Sequence, residues 1–330
     1  MAELFQYAYS YSYSFYNKLW LYLLILCSVS LVFIYIYKTK IMQHFTNKTE
    51  GFAQKENFVL KYGEGIHDEF YSNNYEKIHK PKTHLLEEID LILKTTQASP
   101  QDTILDIESN TGYVVNELTQ RGYNIYGLTS SPQFSNYCKT KYPDAIVKNG
   151  NILNPMEYDK GVFTHIFALY YTIYDFKDKS AVFRNCYSWM KPGGYLVIHL
   201  VDVHKFDITT PIAKDVIFGS IQKQQRAKMM QKQKEIPRIT EYEVDLIDMN
   251  YTSSYNFNNM TSTNEVVIIE TMQDKMTDKI RQNEKILYME PIDQILKIAQ
   301  QCGFIAKSTL KLKEILDDEY QYLYVLERTL

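Results

Sequence analysis

The sequence predicts an α/β fold, a doubly wound and mostly parallel sheet of seven strands with an antiparallel insertion and one preceding transmembrane helix. Three observations carry this prediction. Short apolar runs alternate with helical stretches, the first of these runs ends in a tight polar turn, and a charge-free segment lies near the N terminus. Alternating strands and helices are typical of a parallel sheet that is covered on both faces.

Four regions are predicted along the chain. Residues 1–18 form a tyrosine-rich N-terminal segment, 19–37 a transmembrane helix, 38–65 a polar linker and 66–330 the main domain. Within the main domain, residues 205–289 break the alternation and show the period-two pattern of antiparallel strands, so we expect an insertion there. The chain of 330 residues has 45% apolar content, which is enough to bury a large core.

Charge and cysteine content exclude several functional classes. The chain has 36 basic and 39 acidic residues, so it lacks the basic excess of a nucleic-acid-binding protein, and no nucleic-acid partner is expected. The cysteines lack the spacing of a disulfide framework or a metal site, and we expect free thiols and no metal. They are Cys27, Cys138, Cys186 and Cys302.

The N-terminal apolar segment predicts a membrane anchor. Leu19–Tyr37 contains no charged residue, and as a helix it would extend roughly 28 Å, close to the hydrocarbon thickness of a bilayer. Aromatic residues flank both ends, and more lysines follow the segment than precede it, which predicts a cytoplasmic main domain. The chain is therefore expected to be a single-pass membrane protein in contact with lipid. A cleaved signal peptide is disfavoured because the run is too long and no small-residue cleavage site follows.

The first strand of the main domain leads into a turn suited to binding a nucleotide. An apolar strand from Thr103 to Ile107 precedes a polar turn that ends at Gly112, and a helix follows from Tyr113 to Gln120. This is the first half of a βαβ unit. Free N–H groups at the helix N terminus and a carboxylate at the strand end supply its ligand contacts.

The run Leu-Asp-Ile-Glu-Ser-Asn-Thr-Gly at residues 105–112 resembles the first motif of class I S-adenosylmethionine-dependent methyltransferases. That motif is an apolar residue, Asp, an apolar residue and Gly-x-Gly-x-Gly. Asp106 and Gly112 are in register with it, whereas Glu108 and Asn110 stand where glycines are expected. The Lys-Pro-Gly-Gly turn at residues 191–194 and the strand after it match the same family. The resemblance covers residues 66–330 and implies a Rossmann-like fold with S-adenosylmethionine as the cofactor.

The resemblance also implies which residues bind that cofactor. Thr129 takes the place of an acid that binds the ribose hydroxyls, and Asn151 that of an Asp that bonds the adenine amino group. Tyr75 takes the place of an aromatic residue covering the cofactor, although an ordinary packing helix explains it equally well. A carboxylate accepts more hydrogen bonds than a Thr hydroxyl, whereas an Asn oxygen can still accept from an amine. The candidate cofactor residues are Asp106, Glu108, Gly112, Thr129, Asn151 and Tyr75.

Candidate catalytic residues lie where the fourth and fifth strands of the main domain end. Ligands of open α/β sheets bind outside the carboxyl ends of the strands, which favours His199 and Asp202. Tyr171 belongs to an aromatic loop at residues 170–175 that could contact a sulfonium or an amine by cation–π interaction. Aromatic packing under the loop is the alternative for each of these tyrosines. Insertions like that at 205–289 cover the substrate in some small-molecule methyltransferases.

Two functions follow from these patterns. The first is a membrane-anchored methyltransferase that acts on an unidentified small-molecule or protein acceptor. The second is a catalytically inactive methyltransferase-fold scaffold or partner-binding module at a membrane, which the replacements at Glu108, Asn110 and Thr129 favour. A nicotinamide-dependent oxidoreductase is disfavoured because the charge of Glu108 would repel a pyrophosphate in the turn.

Overall fold

The computed structural model describes most of the main domain and a short N-terminal helix. The described residues are 22, 26–35, 52, 54–79, 84–208, 239–316 and 318–329. They belong to two compact units, Met1–Ala53 and Gln54–Leu330. Most of the linker expected at 38–65 and residues 209–238 of the expected insertion lie outside them.

The first unit contains helix α1, described over residues 26–35, and its side chains are exposed. This helix falls within the predicted membrane anchor, whose other residues, apart from Tyr22, lie outside the described part of the chain. Among the residues that the structure describes, no helix is both long enough and apolar enough to cross a bilayer.

The second unit combines twelve strands with eight helices in the parts of it that the structure describes. The strands are β1 (Phe58–Tyr62), β2 (Thr103–Ile107), β3 (Asn124–Thr129), β4 (Val147–Asn149), β5 (Phe163–Ala168), β6 (Met190–Val201), β7 (Glu241–Asp245), β8 (Met249–Asn256), β9 (Glu265–Asp274), β10 (Ile280–Tyr288), β11 (Phe304–Lys311) and β12 (Gln321–Arg328). The helices are α2 (Glu69–His79), α3 (His84–Thr96), α4 (Tyr113–Gln120), α5 (Pro132–Lys141), α6 (Lys179–Trp189), α7 (Met260–Thr263), α8 (Ile292–Gln301) and α9 (Lys313–Leu316).

The main sheet has seven strands in the order β11-β12-β6-β5-β2-β3-β4, which confirms the predicted α/β fold with a seven-stranded sheet. The pairs from β6 to β4 are parallel, and β12 pairs antiparallel with both of its neighbours. The central strand β2 is buried on both faces, because its consecutive residues Ile104 and Leu105 point to opposite faces and are both fully buried. Near-continuous apolar strands of this kind are typical of sheets with helices on both sides.

The helix after β3 begins at a Ser-Pro pair. Ser131 precedes α5, and its side-chain oxygen accepts a hydrogen bond from the N–H of Phe134 at 3.2 Å. Pro132 occupies the first helical position, where its missing N–H costs nothing. This cap fixes where the chain leaves β3, and β3 ends at the edge of the candidate site.

The Lys-Pro-Gly-Gly segment is not a separate turn before a strand. It lies within β6, whose pairing with β5 shifts register between the pairs Phe163↔Met190 and His165↔Tyr195. A Cβ atom on Gly194 would lie 2.7 Å from the backbone oxygen of Thr164, so only glycine allows the two strands to approach here. The glycines therefore permit an irregularity in a long strand rather than a turn.

The antiparallel insertion forms a second sheet of five strands in the order β1-β10-β9-β8-β7. The insertion predicted at 205–289 contains β7, β8, β9 and β10. The sequence assigns residues 58–62 to the linker, whereas they form β1 and pair in parallel with β10, with Phe58 opposite Ile280. Because the partners of β1 lie more than 200 residues away, its local pattern did not reveal it.

Candidate cofactor site

A pocket with an empty volume of about 390 Å³ opens at the carboxyl end of β2. Its wall contains residues 106–111 from the strand end and turn, the start of α4 and parts of the loop after β5. Tyr75 of α2 and Leu85 of α3 complete the wall.

The turn after β2 has left-handed backbone at all three glycine positions of the motif, although only one of those residues is a glycine. Glu108, Asn110 and Gly112 have φ angles of 49°, 48° and 76°, and these are the positions of the three motif glycines. The left-handed region costs roughly 1–2 kcal/mol for most residues, and Asn tolerates it best. The main-chain path expected from the motif is therefore present, and Glu108 brings a side chain into the pocket.

The Glu108 side chain is bound at the end of the neighbouring strand. One carboxylate oxygen, Oε2, accepts hydrogen bonds from the backbone N–H and the hydroxyl of Ser130 at 3.1 and 3.0 Å. Ser130 directly follows the last residue of β3. Burial raises the pKa of Glu108 to about 7, and the two bonds from Ser130 oppose that rise.

Asp106 supplies a second carboxyl to the same pocket. Its side chain is buried, and burial together with the nearby Glu108 charge raises its pKa to about 8. Among the described residues, no Lys, Arg or His lines the pocket. Lys285 lies close enough to lower the pKa of Glu108 but forms an ion pair with Asp175 at 2.7 Å. A cationic ligand would favour the ionised form of both carboxyls, so the pocket suits a ligand with cationic groups.

The N terminus of α4 brings partial positive charge to the pocket, opposite in sign to the two carboxylates. Gly112 is the N-cap residue of this helix and has no side chain to cap it. The first N–H groups of a helix have no partner within it, and together with the helix dipole they favour an anion. Carboxyls at the strand end and N–H groups at the helix end thus suit a ligand that carries both signs of charge, as the methionine part of S-adenosylmethionine does.

Aromatic side chains cover one side of the pocket. Tyr75 lies 4.3 Å from the ring of His79 and 5.1 Å from that of Phe134, measured between ring centroids. Tyr71 on the same helix donates a hydrogen bond to Glu270 of β9 at 3.0 Å, which connects the covering helix to the five-stranded sheet. The insertion thus positions the helix that carries Tyr75.

Three of the predicted cofactor residues lie outside the pocket wall. Gly112 is required for packing, because a Cβ there would lie 2.5 Å from the Sγ atom of Cys138. The Thr129 side chain is fully buried and accepts a hydrogen bond from the N–H of Ser131 at 3.3 Å. Asn151 accepts one from the N–H of Leu153 at 2.9 Å, which forms a local turn. Tyr75, Asp106 and Glu108 are the three that line the pocket.

The predicted catalytic residues do not line the pocket. His199 is 2% exposed, and burial lowers its pKa to about 4, so it is neutral at pH 7. Its ring lies 5.3 Å from that of Tyr171, whose hydroxyl donates to Gln321 at 3.3 Å. Asp202 accepts a hydrogen bond from the N–H of His204 in the turn after β6. The structure thus brings His199 and Tyr171 together and leaves Asp202 apart.

Other pocket residues were not singled out from the sequence. Tyr170 lines the wall together with Leu169 and Thr172, and its φ of 51° is left-handed. The aromatic loop was identified, but which of its tyrosines faces the pocket was not evident from sequence. Tyr113 and Leu85 also line the pocket. Their positions in the sequence do not distinguish them from residues that pack one helix against its neighbours.

The chain is similar to known methyltransferases in part of its sequence and in its fold. Residues 105–198 match the sequence profile of a methyltransferase domain family. Among solved structures, an S-adenosylmethionine-dependent methyltransferase from Clostridium acetobutylicum ATCC 824 is similar, with a TM-score of 0.56 at 12% identity over 78% of this chain and 98% of that one. The CcbJ methyltransferase of Streptomyces caelestis has a TM-score of 0.53 at 13% identity over 72% and 88%.

A third similar structure is the sugar N-methyltransferase KedS8 from Streptoalloteichus sp. ATCC 53650, with a TM-score of 0.50 at 14% identity over 78% and 93%. At these identities the likeness establishes the fold, which is that of S-adenosylmethionine-dependent methyltransferases. No curated protein is detectably similar to the chain in sequence.

Proposed function

We propose that the chain is an S-adenosylmethionine-dependent methyltransferase. The observation that carries the proposal is the pocket at the end of β2, where Asp106 and Glu108 line a turn with the backbone of the glycine motif. This turn lies within the segment that matches a methyltransferase domain. The Asp106 carboxyl suits the positively charged groups of the cofactor, and the N terminus of α4 suits its carboxylate.

When bound, S-adenosylmethionine would supply a methyl group on a positively charged sulfur, which passes to an acceptor atom as the acceptor releases a proton. The chain's own contribution is to bind, align and keep out water, which such a displacement chiefly requires. Tyr75, Leu85 and Tyr170 provide the apolar part of the wall. A base is needed where the acceptor must lose its proton before transfer. His199 and Tyr171 stay candidates for that role in our proposal.

The experiment is a calorimetric titration of the full chain with S-adenosylmethionine, followed by assays with a labelled methyl group. We expect saturable binding, with transfer to one member of an acceptor panel. Small amines are the first class to test, because one similar structure is named as a sugar N-methyltransferase. Absence of binding at millimolar cofactor would reject the enzyme.

The second candidate is an inactive scaffold of the same fold. It is favoured by Thr129 and Asn151, which take the places of cofactor-binding acids but lie outside the pocket wall. The same titration separates the two candidates, because a scaffold that has lost the site binds neither S-adenosylmethionine nor its demethylated product.

We also propose that Leu19–Tyr37 anchors the chain in a membrane with the main domain in the cytoplasm. The absence of charge in this segment and the lysines after it support the proposal. After carbonate washing of membranes, the full chain should stay in the pellet and a chain of residues 54–330 should be in the supernatant. A full chain that carbonate extracts would end the anchor proposal.

A further inference from the structure

We propose that Glu108 is the carboxylate that binds the ribose hydroxyls of the cofactor in this chain. The residue at the end of β3, Thr129, has no carboxylate, and the neighbouring strand β2 supplies one instead. The inference rests on the proposed function, since it concerns how the same pocket recognises S-adenosylmethionine.

The register of the sheet places Glu108 beside Thr129, the position that lacks a carboxylate. Strands β2 and β3 are adjacent and parallel, and Ile107 pairs with Leu128. The next residue along each strand is Glu108 in one case and Thr129 in the other, so both positions lie at the same point of the sheet edge. The Glu108 carboxylate therefore lies near the position that a carboxylate on residue 129, at the end of β3, would occupy.

The hydrogen bonds from Ser130 fix the orientation of the Glu108 side chain. Both the N–H and the hydroxyl of Ser130 donate to Oε2 of Glu108, at 3.1 and 3.0 Å. The other oxygen, Oε1, has no hydrogen-bond partner among the residues that the structure describes, and Glu108 lines the pocket. An oriented carboxylate with one oxygen unengaged is a suitable acceptor for a vicinal diol.

The backbone at Glu108 supports a role in binding rather than in folding alone. A left-handed residue is most easily a glycine or an asparagine, and neither carries a carboxylate. Conformations of this kind often accompany functional sites. Thr129 cannot bind the ribose hydroxyls in this way, because its side chain is fully buried and its hydroxyl already accepts a hydrogen bond from the N–H of Ser131.

The test compares two ligands on the full chain by calorimetry. One ligand is S-adenosylhomocysteine, and the other is its 2′,3′-dideoxyribose analogue, which lacks both hydroxyls. Glu108→Gln should weaken binding of the first roughly 10- to 150-fold, the range for losing a hydrogen bond to a charged group. It should change binding of the analogue by no more than about twofold, since the analogue has no hydroxyl to lose.

Two further variants keep the outcome clear. Glu108→Gly suits the left-handed backbone, so it is expected to fold and to show the same selective loss. Glu87→Gln removes an exposed acid of α3 that does not line the pocket and should leave both affinities unchanged. Thermal unfolding of each variant confirms that the comparison is made on folded protein.

The outcomes distinguish this inference from the proposed function. If the wild-type chain binds S-adenosylhomocysteine and the Glu108 variants bind it equally well, the inference fails and the proposed function stands. If the variants weaken both ligands to the same extent, Glu108 acts on the pocket in general and the ribose assignment is wrong. If the wild-type chain binds neither S-adenosylmethionine nor S-adenosylhomocysteine, both proposals fall.

Discussion

At the scale of single residues, backbone conformation decides what each position of the turn can hold. Glu108 and Asn110 accept a left-handed φ in order to keep the path of the turn, whereas Gly112 is also constrained by its neighbours. The side chain at Glu108 then engages Ser130 at the end of β3. A motif glycine can thus be replaced where the side chain finds space and partners.

Gly112→Ala should destabilise the fold through two separate effects. The left-handed backbone costs about 1–2 kcal/mol for Ala, and a Cβ 2.5 Å from the Sγ atom of Cys138 adds an overpacking cost of about 1–3 kcal/mol. Gly122→Ala is the matched control, because its φ of 83° is similar and nothing lies within 4 Å of its Cβ position. Denaturant unfolding should show the larger loss for Gly112→Ala, and equal losses would contradict the steric argument.

His199 should make stability depend on pH. Burial lowers its pKa from 6.5 to about 4, so below pH 6.5 the unfolded chain binds a proton that the folded chain does not. Its contribution is therefore full above pH 6.5 and falls as the pH drops towards 4, by about 3 kcal/mol at most. Buried carboxyls such as Asp106 act in the opposite sense, so the difference between wild type and His199→Phe is the quantity to measure. Stability curves that stay parallel from pH 7 to pH 4.5 would refute the assignment.

At the scale of elements, one ion pair joins the five-stranded sheet to the segment before α2. Arg281 of β10 donates from Nη1 to both carboxylate oxygens of Asp68, at 2.9 and 2.7 Å, and from Nη2 to the backbone oxygen of Ile66. The Arg281 side chain is buried, whereas that of Asp68 is 34% exposed. This contact helps to orient α2, the helix that brings Tyr75 to the pocket.

Asp68→Asn should therefore be strongly destabilising for a single change near the surface. It leaves the buried Arg281 guanidinium without its countercharge, and breaking such a pair costs about 3–5 kcal/mol when it is fully buried. Because Asp68 is partly exposed, we expect about 2–3 kcal/mol. The control is Asp90→Asn, which removes the partner of Arg121 in an exposed pair and should cost less than about 1 kcal/mol. Chemical unfolding measures the free energy of unfolding of both variants. Similar losses of this free energy would show that the Arg281 pair contributes no more than the exposed pair.

At the scale of the whole molecule, residues far apart in the chain complete the five-stranded sheet. Strand β1 pairs along its length with β10, and the side chain of Gln54 donates to the backbone oxygen of Ile280 at 3.0 Å. The compact unit begins at Gln54. The N-terminal boundary of the folded domain therefore lies ahead of β1.

Truncation can locate that boundary. A chain starting at Gln54 should unfold at the same temperature as the same domain in the full chain, because all strands of both sheets are kept. A chain starting at Gly63 loses β1 and exposes the edge of β10, and its Tm should fall by several degrees, as expected for a loss of about 1–2 kcal/mol. Equal Tm values for the two truncated chains would mean that β1 adds nothing to the domain.

The sequence by itself determined the fold class of the main sheet, with strands and helices alternating along the chain, because apolar periodicity and turns are local properties. It also located the turn after β2 and the aromatic loop after β5. Only the tertiary structure decided that β1 joins β10, that Tyr170 rather than Tyr171 lines the pocket, and that Glu108 reaches Ser130. Each of these depends on the pairing of distant segments or on the φ angle of one residue, and no local pattern encodes them.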